Sequence, residues 1–192
     1  MTWPNGAAVE GSRWFAGHLL IATPLLQDPN FYRSVVYVAE HDGSGAVGIV
    51  LNRPTDQSIG EHLPGWSDLM SEPPVVFIGG PVANDVAIGL GRDPVIEPIS
   101  WQPTGPGIGL LDLAGRPEEL IGIGDARAYS GYAGWIGGQL EAELRTGSWL
   151  SADALADDVF TDDPGGLWRS VLQRQEGTAR LYASFPDDLR FN

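Results

Sequence analysis

Glycine and proline recur along the whole of this chain and confine it to short elements joined by tight turns. They make up 26 and 15 of its 192 residues and leave no internal repeat, low-complexity run or long linker. Within that punctuation the clearest local structure is a β-hairpin. Ser34–Glu40 (SVVYVAE) is β-branched and aromatic, His41–Gly45 (HDGSG) supplies turn residues, and Ala46–Asn52 (AVGIVLN) returns as the partner strand.

Other elements follow from the same reading. His18–Ala22, Val75–Ile78, Val86–Leu90, Val95–Ile99, Gly109–Leu113 and Asp125–Ser130 read as strands, and Ala179–Ser184 as a last one. Ser58 precedes Glu61 by three residues, a capping-box spacing for a short helix ended by Pro64. Pro117–Leu120 reads as a helical turn. The strongest helix runs from the Gly131–Gly134 turn to Arg145. Ile136, Leu140 and Leu144 form its stripe, Glu141 and Arg145 an i,i+4 pair, and Gly147 its stop. A second helix spans Pro164–Gln175, capped by Asp163 and buried through Leu167, Trp168, Val171 and Leu172.

Strands outnumber helices and do not alternate with them, which argues against a doubly wound sheet. The expected fold is α+β: one domain over residues 17–192 after a short tail of residues 1–16, with a strongly bent mixed sheet and two main helices.

Composition removes several chemistries. There is no cysteine, so disulfides, thiolate metal sites and a cysteine nucleophile are out. That suits a reducing cytoplasm. No run reaches about 18 apolar residues, and the first residues lack a basic start followed by an apolar stretch; neither a membrane span nor a signal peptide is expected. The net charge is −14 and every basic residue is arginine, so direct nucleic-acid binding is disfavoured.

Motifs thin the list further. Gly43–Gly48 fits G-x-G-x-x-G but joins two strands, whereas a dinucleotide fingerprint needs a strand and a helix. A P-loop lacks its lysine, and neither G-x-S-x-G nor S-x-x-K occurs. His18, His41 and His62 have no metal-ligand spacing; His18 reads as a core or rim residue, and His41 at the hairpin tip as a possible proton carrier. Acidic pairs at Asp157-Asp158, Asp162-Asp163 and Asp187-Asp188 read as solvated turns and caps, the alternative being a hard cation such as Ca²⁺ or Mg²⁺, without EF-hand spacing. No cofactor and no metal is expected.

Three places remain for a site. Asn52-Arg53-Pro54 follows a strand and could present Arg53 to an anion. Gly79-Gly80-Pro81 is a sharp turn that could present backbone N–H groups. Gly131-Tyr132-Ala133-Gly134-Trp135 brackets small residues with aromatics before a helix start, with Gln139 and Glu141 just inside.

Three long segments carry a resemblance: GHLLIATPLLQDPNFYRSVVYVAEHDGSGAVGIVLNRPT, FIGGPV and GYAGWIGGQLEAELRTGSWL. Together they resemble the YqgE/AlgH family of bacterial proteins, from Gly17 to about Arg180. The resemblance implies a compact α+β domain with a bent sheet and no established enzyme activity. It also brings the label of transcriptional regulator, which implies a genetic effect rather than a DNA-binding mechanism. Ala39 stands where relatives often carry cysteine, Arg53 where many carry lysine, and the ending FPDDLRFN is the least transferable part. The reading is a non-catalytic binding or regulatory protein with a protein or small-molecule partner, its oligomeric state open. A hydrolase-like enzyme using His41 with nearby acids, and direct action on DNA, are the alternatives.

Overall fold

The computed structural model describes residues 14–92, 101–119 and 122–186. The expected strand Val95–Ile99, the end of the Pro117–Leu120 turn, most of the tail and the Asp187-Asp188 pair lie outside them.

Among the described residues ten strands form one sheet. They are β1 His18–Ala22, β2 Val35–Asp42, β3 Gly45–Val50, β4 Pro54–Ser58, β5 Val75–Ile78, β6 Val82–Arg92, β7 Trp101–Gly105, β8 Ile108–Leu111, β9 Ala126–Ile136 and β10 Trp149–Asp153. Their order is β10-β1-β2-β3-β9-β6-β8-β7, with β5 also paired to β9 and β4 paired to β5. All pairs are antiparallel except β5 with β9, so the sheet is mixed as expected.

The expected hairpin is present, with a bulge between Val38 and Glu40 and a turn tighter than read. His41 is therefore in β2, paired with Ala46, and not at the tip.

The sheet curls into a half-barrel. The curl brings β7, last in the order, back to β2, the third strand: the Tyr37 hydroxyl of β2 lies 2.8 Å from Thr104 Oγ1 of β7. There Gly105 packs so close that a Cβ would sit 2.9 Å from Gly17 Cα. The concave face holds the first core, drawn from strands at both ends of the order. Leu19, Ile21, Tyr37, Ile49, Phe77, Leu90 and Tyr129 pack there under Leu167, Trp168, Val171 and Leu172. Alternate residues of β1–β3 face the other way and build a second core with Trp135, Leu140 and Trp149. A third lies around Ile59, Trp66, Trp101 and Leu111. Strands buried on both faces explain the near-continuous apolar runs in β1 and β2.

The described residues also hold five short helices: α1 Ile59–His62, α2 Gln139–Arg145, α3 Ala156–Val159, α4 Leu167–Gln173 and α5 Gly177–Leu181. α1 forms where the capping spacing placed it, but no Ser58 side-chain bond caps it. α4 buries the four residues expected but starts later than read, at Leu167 with Gly166 as N-cap and no side-chain cap bond; Asp163 Oδ1 accepts from Gly166 N–H at 3.0 Å in the turn ahead of it.

Two further expectations are corrected. The Gly131–Trp135 segment does not turn into a helix; β9 runs straight through it to Ile136, and α2 starts only at Gln139 after Gly138 with φ 79°. Ile136 is consequently 76% exposed rather than part of a buried helical stripe. Ala179–Ser184 is not a strand but the end of α5 and a 3-10 turn, the ambiguity that short apolar runs carry.

Candidate functional site

The predicted site residues fall into two clusters, both tied to β9. In the first, β5 and β6 lie on opposite edges of β9, since both pair with Tyr129 and Ser130. The chain between them must therefore cross β9, and Gly79-Gly80-Pro81 is that crossing. The approach admits no side chain. A Cβ on Gly80 would sit 2.1 Å from the Tyr132 carbonyl carbon, and one on Gly79 2.2 Å from Gly131 O. Gly131 has φ 72°, and its own Cβ would fall 2.8 Å from Gly80 O. The glycines are thus fixed by backbone packing, and the Gly79 N–H does not await an anion: it donates to Ser130 O at 2.8 Å.

Asn52 and Arg53 lie beside this crossing. Asn52 is buried and accepts from Val35 N–H while donating to Arg33 O, which ties the end of β3 to the start of β2. Arg53 donates to the Tyr32 carbonyl, and its own carbonyl accepts from Ile78 N–H at 2.8 Å. Burial lowers the Arg53 guanidinium below its ordinary pKa. Arg53 is half-buried on a backbone carbonyl, neither a salt bridge nor a solvated cation. Around the crossing, Pro81 is exposed, Ile78 is 50% and Val82 39% exposed, and Tyr132 is half-buried.

The second cluster docks α2 on the sheet. Trp135 is only 6% exposed, so of the two aromatics bracketing the segment it is Tyr132 that is partly exposed. Its indole N–H donates to Glu143 Oε2 at 2.9 Å, and the Trp149 indole donates to the same oxygen at 2.8 Å. Gln139 donates to Glu143 Oε1 at 2.9 Å and accepts from Ile136 N–H. Phe31 stacks against Trp135 and meets Trp149 edge-on. Glu141 does not pair with Arg145 in any bond among the described residues; it turns to His41, with 3.2 Å between Oε1 and Nε2.

The His41 side chain is 1% exposed. Phe15 N–H donates to its Nδ1 at 3.1 Å, so Nδ1 carries the lone pair and Nε2–H donates to Glu141. Both nitrogens are committed. Sequence reasoning missed Glu143 and the His41–Glu141 tie. An acidic residue at helical spacing from a tryptophan, with a second tryptophan just past the helix, was the available sign for the first.

Other candidates resolve into structure. Asp158 is buried and accepts from Arg174 and from Leu155 N–H, so it is an internal ion pair rather than a solvated cap. Asp157 pairs with Arg92 at 2.9 Å. His18 sits at the rim, 3.6 Å from Asp153. Among the described residues no group of His, Asp and Glu could hold a metal ion, and no helix is long and apolar enough to cross a membrane. A shallow pocket of about 490 Å³ lies elsewhere, between Pro64–Trp66 and Gly115–Glu118.

A family model described as AlgH-like (DUF179) matches residues 19–180. A UPF0301 protein of Streptomyces coelicolor is 46% identical over 92% of this chain and 94% of its own length. One of Mycobacterium tuberculosis is 40% identical over 92% of this chain and 90% of its own. A Corynebacterium diphtheriae crystal structure superposes with TM-score 0.85 at 27% identity, covering 92% of this chain and 95% of that one. The solution structure of AlgH from Pseudomonas aeruginosa superposes with TM-score 0.66 at 28% identity, covering 95% and 100%.

Proposed function

We propose, for a chain that belongs to the AlgH-like family, that it acts as a non-catalytic binding or regulatory protein, with the surface around the β5–β6 crossing as its contact site. One observation carries the reading: Ile78 and Val82 stand 50% and 39% exposed on either side of a crossing held rigid by contact with Gly131 and Tyr132. Exposed apolar side chains on an over-determined backbone are a preorganised contact surface, which lowers the ordering cost of binding. Arg53 beside them, already partly desolvated, lends the site a positive edge. The partner is a protein or a small molecule.

The hydrolase reading loses its base. A general base must reach the proton it abstracts, and His41 is buried with both nitrogens engaged. Direct action on DNA has the charge of −14 against it. The absence of cysteine suits the cytoplasm as the working compartment.

A metabolite screen by thermal shift tests this, run on the protein and on Ile78→Glu/Val82→Glu. A ligand at about 100 times its Kd adds about 2.7 kcal/mol, roughly 5–10 °C for a chain of this size. Hits should stabilise the protein and lose that shift in the variant. Hits kept in full by the variant would remove the crossing as the site.

A further inference from the structure

The binding reading makes no use of His41, of Glu141, or of the segment that covers them. We infer that His41 is a proton-operated latch that helps hold residues 14–16 against the sheet and loosens them on acidification.

The geometry is asymmetric. On one side of the ring, Nε2–H donates to Glu141 Oε1 at 3.2 Å. On the other, Nδ1 accepts from Phe15 N–H at 3.1 Å. The Phe15 ring stacks on the imidazole, centroids 5.7 Å apart, and Trp14 meets it edge-on at 5.0 Å. A neutral imidazole has one donor and one acceptor, and this site uses both. Imidazolium has two donors. A proton taken up at Nδ1 therefore points an N–H at the Phe15 N–H and cancels that bond. The same proton makes the Glu141 bond charge-assisted and stronger. Protonation thus keeps His41 on α2 and removes one tie on the segment that covers it, leaving Phe15 O bonded to His18 N–H at 3.0 Å.

Carboxylates stand near the ring on two elements. Glu141 faces it from α2 and its second oxygen, Oε2, is buried without a hydrogen-bond partner. Glu40 and Asp42 flank it on β2; burial and the charge of Asp42 push the Glu40 carboxyl up, while bonds from Ser44 hold Asp42 low. Ala46 opposite on β3, Trp14 and Phe15 bring no side-chain charge. His18 lies one ring further out, edge-on to Phe15 at 6.1 Å and tied to Ala16 O and Asp153. With the ring 1% exposed, proton uptake requires local opening of the cover. Phe15 packs on the second core, so its release bares the rim of that core beside His41.

NMR of the full chain tests the latch between about pH 8 and pH 5, the range in which histidine commonly titrates. The ¹⁵N shifts of His41 report its protonation, and hydrogen exchange of the Phe15 amide, corrected for intrinsic rate, reports the cover. Phe15 protection should fall roughly tenfold as the ring becomes imidazolium, the scale of one lost hydrogen bond, while the Leu20 amide of β1 keeps its protection. In His41→Gln, Phe15 protection should not vary with pH. Should that variant fail to fold, Glu141→Gln serves, and there the Phe15 transition should move to lower pH. Unchanged Phe15 protection across the protonation of His41 overturns the proposal. So does a ring that stays neutral over the whole range in which the protein is folded.

Discussion

The Cβ that Gly80 lacks would lie 2.1 Å from the carbonyl carbon of Tyr132. Two segments some fifty residues apart in sequence meet there backbone to backbone, and neither can retreat. Behind Gly80 the β5–β9 pairing holds Phe77 and Ile78, and ahead of it Val82 pairs with Tyr132. Gly80→Ala should therefore destabilise the protein by about 3 kcal/mol, the upper end of overpacking penalties. Gly138→Ala is the control: nothing lies within 4 Å of its Cβ position, and only its positive φ of 79° is strained, for about 1 kcal/mol. Denaturant titration of the two variants measures the difference.

Glu143 gathers two buried indoles and Gln139 on one carboxylate. Glu143→Ala should cost about 2–4 kcal/mol, since two buried donors lose their acceptor at about 1–3 kcal/mol each. Glu143→Gln keeps an acceptor oxygen and should cost less than half as much. Chemical denaturation followed by tryptophan fluorescence gives both values. Equal losses would show that the carboxylate charge, rather than the acceptor, matters.

Burial pushes the Tyr129 hydroxyl up from its ordinary value of 10.0, as it does that of Tyr37. A raised folded-state pKa contributes stability that is complete below the unfolded value and is lost as pH rises through the folded one. Stability should therefore hold steady up to about pH 10 and fall above it, where the unfolded tyrosines ionise. Tyr129→Phe should flatten that fall. Urea midpoints between about pH 8 and pH 11 show it; an unchanged slope would mean Tyr129 carries none of it.

Arg127 is buried at 1% exposure and donates to the carbonyls of Glu72, Val159 and Thr161 while lying over Phe77. Burial lowers its guanidinium pKa. Arg127→Leu should cost about 3–5 kcal/mol, because three carbonyls from two separate segments lose their donor at about 1–3 kcal/mol each, partly offset by apolar packing. The measured midpoint shift in denaturant reads this directly.

How much of this was legible depended on sequence separation. The β2–β3 hairpin and α4 were readable because their signals are local: β-branched runs around a turn, and an aspartate ahead of an apolar helical face. The course of β9 was not. Gly131-Tyr132-Ala133-Gly134 has the composition of a turn, yet Gly131 and the backbone of Tyr132 and Ala133 answer to Gly79 and Gly80, which cross them from a distant part of the chain. The same holds for the site. Trp135, Gln139 and Glu141 carry functional-looking side chains, and each is engaged in docking α2. His41 and Glu141 are 100 residues apart, and no spacing rule joins them. The family resemblance fared better than the local motifs because it rested on long segments over nearly the whole chain, and the AlgH-like match over residues 19–180 agrees with it.

The most direct measurement of the central claim is a backbone amide NMR titration with a stabilising ligand from the thermal-shift screen. The account predicts the largest shifts at Ile78, Val82 and Tyr132, around the crossing of β5 to β6 over β9. Shifts centred on Pro64–Trp66 and Gly115–Glu118, with the crossing silent, would contradict it and move the site to the shallow pocket.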